Sequence, residues 1–438
     1  MKSGSLAFCL AIMLLMTGVA SATGERVAVS MNLEECLKTA KERNSAVNIA
    51  IRQRKKAEIF KEEAFGKALP DLDISANYTR EGKNPEVEFF DTKFKLAPDS
   101  SYNINATLSQ YLYSGAVSSG YTASKLLLLA AGGAEEAARQ GLVAQVKTGF
   151  YTVIFTKEVI KTEEEAVAQL ESHIQDTKDR VAVGLSTKYD IMRLETRLAA
   201  ERHRLIEAQN IHARAKLDLL NLLGLDPVSQ VNLAGALDDY MKPLEVSFTE
   251  ALASAMDSRP DIKAARARLE ATGYIAKAAK SEQYPTVKLF GRYNAANNVG
   301  IGDTDKLFDR WNVGVSVDMN IFDGRERSSR MRQRLLDVEI DRVRLEELER
   351  QVKVEVKSSF DELARAMEFF KSQRKSIDYA KETYRIAKVN HQEGVMTQLE
   401  LLDAQFAMTQ ASINYKKSLF EYATARARLV WAMGGKED

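Results

Sequence analysis

The sequence predicts a mainly α-helical chain with a small β part, built as a tandem duplication of long antiparallel helical hairpins. Three observations carry this expectation. The second half repeats landmarks of the first in order, each half contains one very long helical stretch, and four segments of period-2 alternation interrupt the helices at matching places.

The repeat comes first because it decides the architecture. At an offset of 215 residues Leu33 meets Phe248, Glu35 meets Glu250, Ala50 meets Ala265, Pro70 meets Pro285 and Tyr78 meets Tyr293, without a gap. Further on Gly115 meets Gly324 at 209, and Gly184 meets Gly394 and Gly224 meets Gly434 at 210. The expected division is a signal segment over 1–22, a first structural repeat over 23–226 and a second over 227–438. Lys2, the apolar run Leu6 to Met16 and the small residues Ala20, Ser21 and Ala22 give the first segment the form of a secretory signal. Cys9 lies inside that run, which leaves Cys36 alone in a mature chain starting near Thr23, so neither a lipid anchor nor an internal disulfide is expected.

Each copy then follows one grammar. Leu33 to Gly66 and Phe248 to Glu282 have helical spacing and stop before Pro70 and Pro285. Two strand candidates follow, with loops at Gly82 to Ser100 and Ala295 to Arg310. Beyond Gly115 and Gly324 lie the long helices, Ala116 to Val183 and Arg325 to Glu393; the second has 69 residues without glycine or proline. At 1.5 Å per residue such a helix is about 100 Å long, too long for a globular core. The stripe Val352, Val354, Val356, Phe360, Leu363, Met367 and Phe370 is read as its buried face, and Arg342, Arg344, Glu346, Glu347 and Arg350 as its wet one. Short turns at 183–186 and 394–397 lead into returning helices that end at Gly224 and Gly434.

The strands alternate strictly. Leu72, Ile74, Ala76 and Tyr78 share one face, as do Tyr102, Ile104, Ala106 and Leu108, then Val287, Leu289, Gly291 and Tyr293, then Trp311, Val313, Val315 and Val317. About ten residues cross a bilayer when tilted, and Tyr78, Tyr102, Tyr293, Trp311, Tyr111, Tyr113 and Phe322 stand where interfacial aromatics are needed. A soluble, half-buried sheet has the same alternation. Four strands cannot close a barrel, so in lipid several copies must associate, and the physics leaves two, three or four open.

Composition excludes other classes. The 62 Lys plus Arg balance 61 Asp plus Glu, which argues against nucleic acid as a partner. The four histidines, His173, His203, His212 and His391, have no metal-ligand spacing, and no nucleophile elbow or phosphate loop occurs, so no enzyme activity and no cofactor or metal is expected. Gly300-Ile301-Gly302 falls in a loop rather than at a helix start, and no methionine cluster suggests a copper path. A soluble periplasmic coiled-coil scaffold or adaptor remains the alternative, although an adaptor is expected to carry a β domain within a single hairpin.

The order helix, strand, strand, long helix, turn, helix, twice over, resembles the TolC-type outer-membrane efflux proteins across nearly the whole mature chain. The specific pieces are Leu112-Tyr113-Ser114-Gly115 with Ile321-Phe322-Asp323-Gly324, Val183-Gly184-Leu185-Ser186-Thr187 with Asp190, and Gly394 with Glu400-Leu401-Leu402-Asp403-Ala404-Gln405. The resemblance implies a homotrimeric α-barrel in the periplasm and a shared 12-stranded transmembrane β-barrel in the cell outer membrane. It further implies a periplasmic adaptor and an inner-membrane transporter as partners, in drug efflux or type I secretion. By the same resemblance Val183, Gly184, Leu185, Ser186, Gly394, Val395, Met396 and Thr397 contact the adaptor. Glu400 and Asp403, with Asp190, line a periplasmic aperture, Glu400 departing from an all-aspartate ring. The alternative for these acids is a helix start, where the dipole favours them anyway. His391, just before Gly394, is expected either as a pH-sensitive latch to Asp190 or as a plain surface histidine.

Overall fold

Two helices of 68 and 67 residues, α3 (Gly115–Ala182) and α7 (Glu326–Gln392), organise everything else in the computed structural model. The structure describes residues 29–82, 86–89, 92–95, 99–297 and 307–435, so the expected signal segment and Gly300–Gly302 lie outside it. In chain order the elements are β1 (Val29–Met31), α1 (Leu33–Arg43), α2 (Ser45–Gly66), β2 (Asp71–Arg80), β3 (Glu86–Phe89), β4 (Thr92–Lys95), β5 (Ser100–Tyr113), α3 and α4 (Lys188–Leu223). Then come β6 (Val231–Leu233), a 3-10 turn (Leu237–Tyr240), α5 (Phe248–Ser258), α6 (Pro260–Ser281), β7 (Thr286–Ala296), β8 (Phe308–Asp318), α7 and α8 (Gln398–Ala432).

In each copy the opening and returning helices together run along the long one. Helix α3 packs on α2 and α4 from its own copy and on α6 and α8 from the other, while α7 packs on α5, α6 and α8. The opening helix is not continuous, as the sequence suggested, but breaks at Asn44 and at Arg259, whose backbones are extended. The end of the returning helix is the reason. Asn44 accepts the amides of Ala46 and Val47, and its Nδ2 donates to the carbonyl of Leu222 at 2.9 Å. Arg259 holds the equivalent place and donates to the carbonyl of Ala432 at 3.2 Å. The returning helices close on Gly224 (φ 67°) and Gly434 (φ 70°), where a Cβ would lie 2.7 Å from the Arg43 carbonyl oxygen and 2.8 Å from the Arg259 nitrogen. Only glycine allows both the left-handed turn and that approach.

Around the first join sits the largest core, with Phe150, Tyr151, Val146, Leu223 and Cys36. Tyr240 from the 3-10 turn packs against it, its ring tilted 48° to that of Tyr151 at 5.0 Å, and β6 pairs in parallel with β1. Burial pushes the Cys36 thiol up to about 11, with Glu35 adding to the rise, so it is an inert packing group. On α7 the buried stripe keeps Val352, Val356 and Leu363 but not Val354, which is 69% exposed. Two residues on a helix turn about 200°, which puts Val354 on the opposite face.

Candidate functional site: the amphipathic sheet and the hairpin tips

The four long strands form one antiparallel sheet in the order β2, β5, β7, β8. Register aligns their apolar residues into a continuous face: Leu72 opposite Leu108, Ile74 opposite Ala106, Tyr78 opposite Tyr102, Leu289 opposite Val315 and Tyr293 opposite Trp311. That face is bare, with Ile74 at 70% and Trp311 at 74% exposure. The other face is polar. Asn294 Nδ2 donates to Oδ1 of Asn103 (2.8 Å) and Asn105 (2.6 Å), and Phe290 lies over Gly314, where a Cβ would meet its ring at 2.8 Å. Strands β2 and β8 are the sheet's outer strands, and each has one open edge. Within the loop expected at Gly82 to Ser100, β3 and β4 make a short hairpin. No helix among the described residues is long and apolar enough to cross a membrane.

At the other end of the long helices are two equivalent tips. After α3, Gly184 (φ 77°) lets the amide of Leu185 donate to the carbonyl of Arg180 at 2.8 Å; after α7, Gly394 (φ 78°) lets that of Val395 donate to Asn390 at 2.9 Å. Both are Schellman closures. Thr187 and Thr397 then cap α4 and α8 in capping boxes. Asp190 Oδ2 accepts from the Thr187 hydroxyl (2.6 Å) and amide (3.0 Å) and from the Ser186 hydroxyl (3.0 Å). Glu400 Oε2 accepts from the Thr397 amide and hydroxyl, both at 2.8 Å. The Thr187 hydroxyl holds the Asp190 carboxyl below the usual range, and the Thr397 amide does so for Glu400, so both stay ionised. Val183, Leu185 and Val395 project into solvent from the turns, whereas Ser186 and Met396 are half-buried.

The latch between His391 and Asp190 is not formed. Asp190 is committed to its own cap, and His391 Nδ1 donates instead to the carbonyl of Met396 at 3.0 Å. Its Nε2 faces the Arg180 guanidinium at 3.4 Å, a partner from which it can only accept. Neither is it a plain surface histidine, since it links the ends of α3 and α7. Two turns back, His173 Nε2 and the Tyr384 hydroxyl lie 3.5 Å apart across the same helices. Sequence spacing carried no sign of these contacts, because the paired residues are 211 positions apart. Asp403 is exposed and borders a cleft of about 520 Å³ between the starts of α4 and α8, with Tyr189, Met192, Arg193, Arg197 and Leu399. Among the described residues no group of His, Cys, Asp or Glu is placed to hold a metal ion.

Comparison with known proteins gives this geometry a family. The model for "Outer membrane efflux protein" matches residues 36–225 and again 251–435, once in each half. The outer membrane efflux protein BepC of Brucella suis is 24% identical over 306 residues, 67% of this chain and 63% of that protein's length. The alkaline protease secretion protein AprF of Pseudomonas aeruginosa is 21% identical over 85% of this chain and 78% of its own length. Among solved structures, the CmeC outer membrane channel of Campylobacter jejuni superposes with a TM-score of 0.79 at 19% identity, covering 93% of this chain and 87% of that one. The open state of the MtrE outer membrane channel of Neisseria gonorrhoeae gives 0.76 at 20% identity, covering 92% and 89%. With both halves matched by the family model and the whole described fold shared with such channels, this chain belongs to the outer membrane efflux protein family.

Proposed function

We propose that the chain is one subunit of a homotrimeric outer-membrane channel that passively conducts substrates across the outer membrane and periplasm. The observation that carries the reading is the bare apolar face continuous over four strands and ending in two open edges. In hydrocarbon each unpaired backbone group costs several kcal/mol, so β8 of one copy must pair with β2 of the next. Three copies give a twelve-stranded wall. The helical flanks agree: α2 exposes Ile59 and Phe65, and α7 exposes Ile340 and Val343, on the two sides that such pairing would bring together.

On this reading the mature chain starts near Thr23, its two repeats divide at 226/227, and the helices extend into the periplasm. The apolar tips Val183, Leu185 and Val395, with Gly184, Ser186, Gly394, Met396 and Thr397 shaping the turns, dock a periplasmic adaptor joined to an inner-membrane transporter. Glu400, Asp403 and Asp190 supply the charge of the aperture. Capping keeps two of these carboxylates ionised, which favours cations in the narrow end. The relatives named above include both an efflux protein and a protease secretion protein, and either export class fits the tube.

Membrane fractionation, crosslinking and planar-bilayer recording test the proposal together. The expected result is a detergent-requiring trimer that conducts ions with cation preference. A detergent-free monomer released by osmotic shock would refute it.

A further inference from the structure

Helices α4 and α8 come from different repeats, both lie along α3, and are separated at their starts by the cleft that Asp403 borders. Beyond Arg197 and Ala200, at the inner end of that cleft, side chains join them. Arg197, Glu201 and Arg204 stand at i, i+4 and i+7 on one face of α4. Glu201 is 3% exposed and accepts from Arg204 at 3.1 Å, with Arg197 at 3.4 Å. Both guanidiniums also lie over the ring of Phe406 on α8, that of Arg197 at 4.4 Å and that of Arg204 at 5.2 Å from its centroid. One buried acid thus fixes two cations against one aromatic ring.

The duplication supplies a control. At the offset of 210 that relates the tips, Phe406 corresponds to Thr196, and Arg197, Glu201 and Arg204 to Ala407, Ala411 and Asn414. The hairpin itself therefore does not call for these residues; they tie one hairpin to the other. The remaining hold on α8 at this level is thin, with Leu402 as its contribution to the apolar cluster of Leu170, Ile174, Leu194 and Leu198. The joined state also carries a cost. Gln405 Oε1 on α8 and Glu163 Oε2 on α3, on side chains that both adjoin Glu201, are buried without a hydrogen-bond partner. Such oxygens gain by meeting water, and that gain is similar in size to the two ring contacts, so the joint is able to open.

Asp403 lies one turn before Phe406 on the same side of α8 and shares the cleft with Arg193 and Arg197. Movement of Phe406 away from α4 carries this carboxylate with it. We propose that the grip of Arg197 and Arg204 on Phe406 is a lock that holds α8 to the first hairpin and thereby sets the state of the periplasmic aperture. While locked, Asp403 stays beside two arginines that offset its charge; once released, it acts on the pore undiminished, and cation preference rises. The inference rests on the channel reading and names Arg197, Glu201, Arg204 and Phe406 as positioning residues of that aperture.

Two measurements on the reconstituted full-length protein test it. Spin labels at M192C and L399C, exposed positions on opposite walls of the cleft, report the distance from α4 to α8 by pulsed electron resonance, with labelled subunits diluted among unlabelled ones. The wild type should give one short distance. Phe406→Leu, which removes both ring contacts, should shift the balance toward a longer distance by about fivefold to thirtyfold. Phe406→Trp, a better partner for cations, should stay locked. Arg204→Gln should also shift the balance, and F406L/R204Q should shift it less than the two single changes combined, because the ring and Arg204 act through each other. R385Q, which breaks the ion pair of Arg385 with Glu382 on α7, should leave it unchanged. In planar bilayers the released fraction should appear as added dwell time in a more cation-selective state. If F406L does not assemble, R204Q carries the test. An unchanged distance in the Phe406 or Arg204 variants overturns the lock, as does a lengthened distance with unaltered dwell times. A wild type that does not conduct sinks the channel reading and the lock together, whereas a conducting wild type matched by F406L sinks the lock alone.

Discussion

Replacing Arg259 by methionine should expose how the second helix join is held. The Arg259 side chain is 7% exposed and donates to Glu355 at 2.6 Å, to Asp261 at 2.8 Å and to the carbonyl of Ala432 at 3.2 Å. Its guanidinium also lies 5.3 Å from the Trp431 ring centroid. Burial works against its charge, but the hydrogen bonds and charges of Asp261 and Glu355 outweigh that cost and hold its pKa above the usual value. Removing one partner of a buried pair costs about 3–5 kcal/mol. Here the acids are 30% and 33% exposed, so water takes over part of the contact and the loss reduces to about 2–3 kcal/mol. Methionine preserves most of the apolar packing. R259N should recover about 1 kcal/mol, because Asn44 makes the corresponding carbonyl bond in the first copy. Guanidinium unfolding followed by helical circular dichroism, run as a cycle with Glu355→Gln, measures the coupling. R259M within about 0.5 kcal/mol of wild type, or additive effects in the cycle, would refute the reasoning.

The other positions give shorter expectations. Gly224→Ala combines a left-handed φ with a 2.7 Å approach to the Arg43 carbonyl and should cost about 2–4 kcal/mol in thermal unfolding, so a neutral result would contradict the join geometry. Val315→Arg, on the bare face of β8, should cost about 2–4 kcal/mol of barrel stability and lower assembly in the outer membrane, whereas Ser316→Arg on the other face should assemble normally. Glu163 is buried beside Glu201, and desolvation first, then the Glu201 charge, raises its pKa. A raised carboxyl contributes stability that is present below its unfolded pKa and lost as pH rises through its folded one, so Glu163→Gln should match wild type at pH 4 and exceed it at pH 8. His391→Phe removes both the donor to Met396 and the acceptor for Arg180 and should shift the tip equilibrium by about 1–2 kcal/mol. Single-channel open lifetimes report that shift, and Asp190→Asn should not reproduce it.

What the sequence disclosed and what it hid follow one physical division. Long period, strand alternation and duplicated landmarks are local or repetitive signals, and they identified the two hairpins and the sheet. The breaks at Asn44 and Arg259 exist because a returning helix ends against them, from residues 178 and 173 positions away, and no local pattern records that. The pairing of β6 with β1 is equally remote, so residues 227–247 carried no reading. The latch between His391 and Asp190, one of the two alternatives for that histidine, is not formed for the opposite reason, because a local bond comes first: a carboxylate three residues after a capping threonine already has its partners. The same logic ranks the acids at the tips. Asp190 and Glu400 occupy equivalent positions and perform the same capping, so helix initiation alone accounts for both. Asp403 does no such work, and its counterpart 210 residues earlier is Arg193, a charge of opposite sign. Of the three acids it is the one whose presence the turn does not explain, and Asp403→Asn should therefore lower cation preference more than Glu400→Gln does. Reversal potentials in a salt gradient measure that order, and a larger effect from Glu400 would show that capping does not prevent a carboxylate from setting the pore's charge.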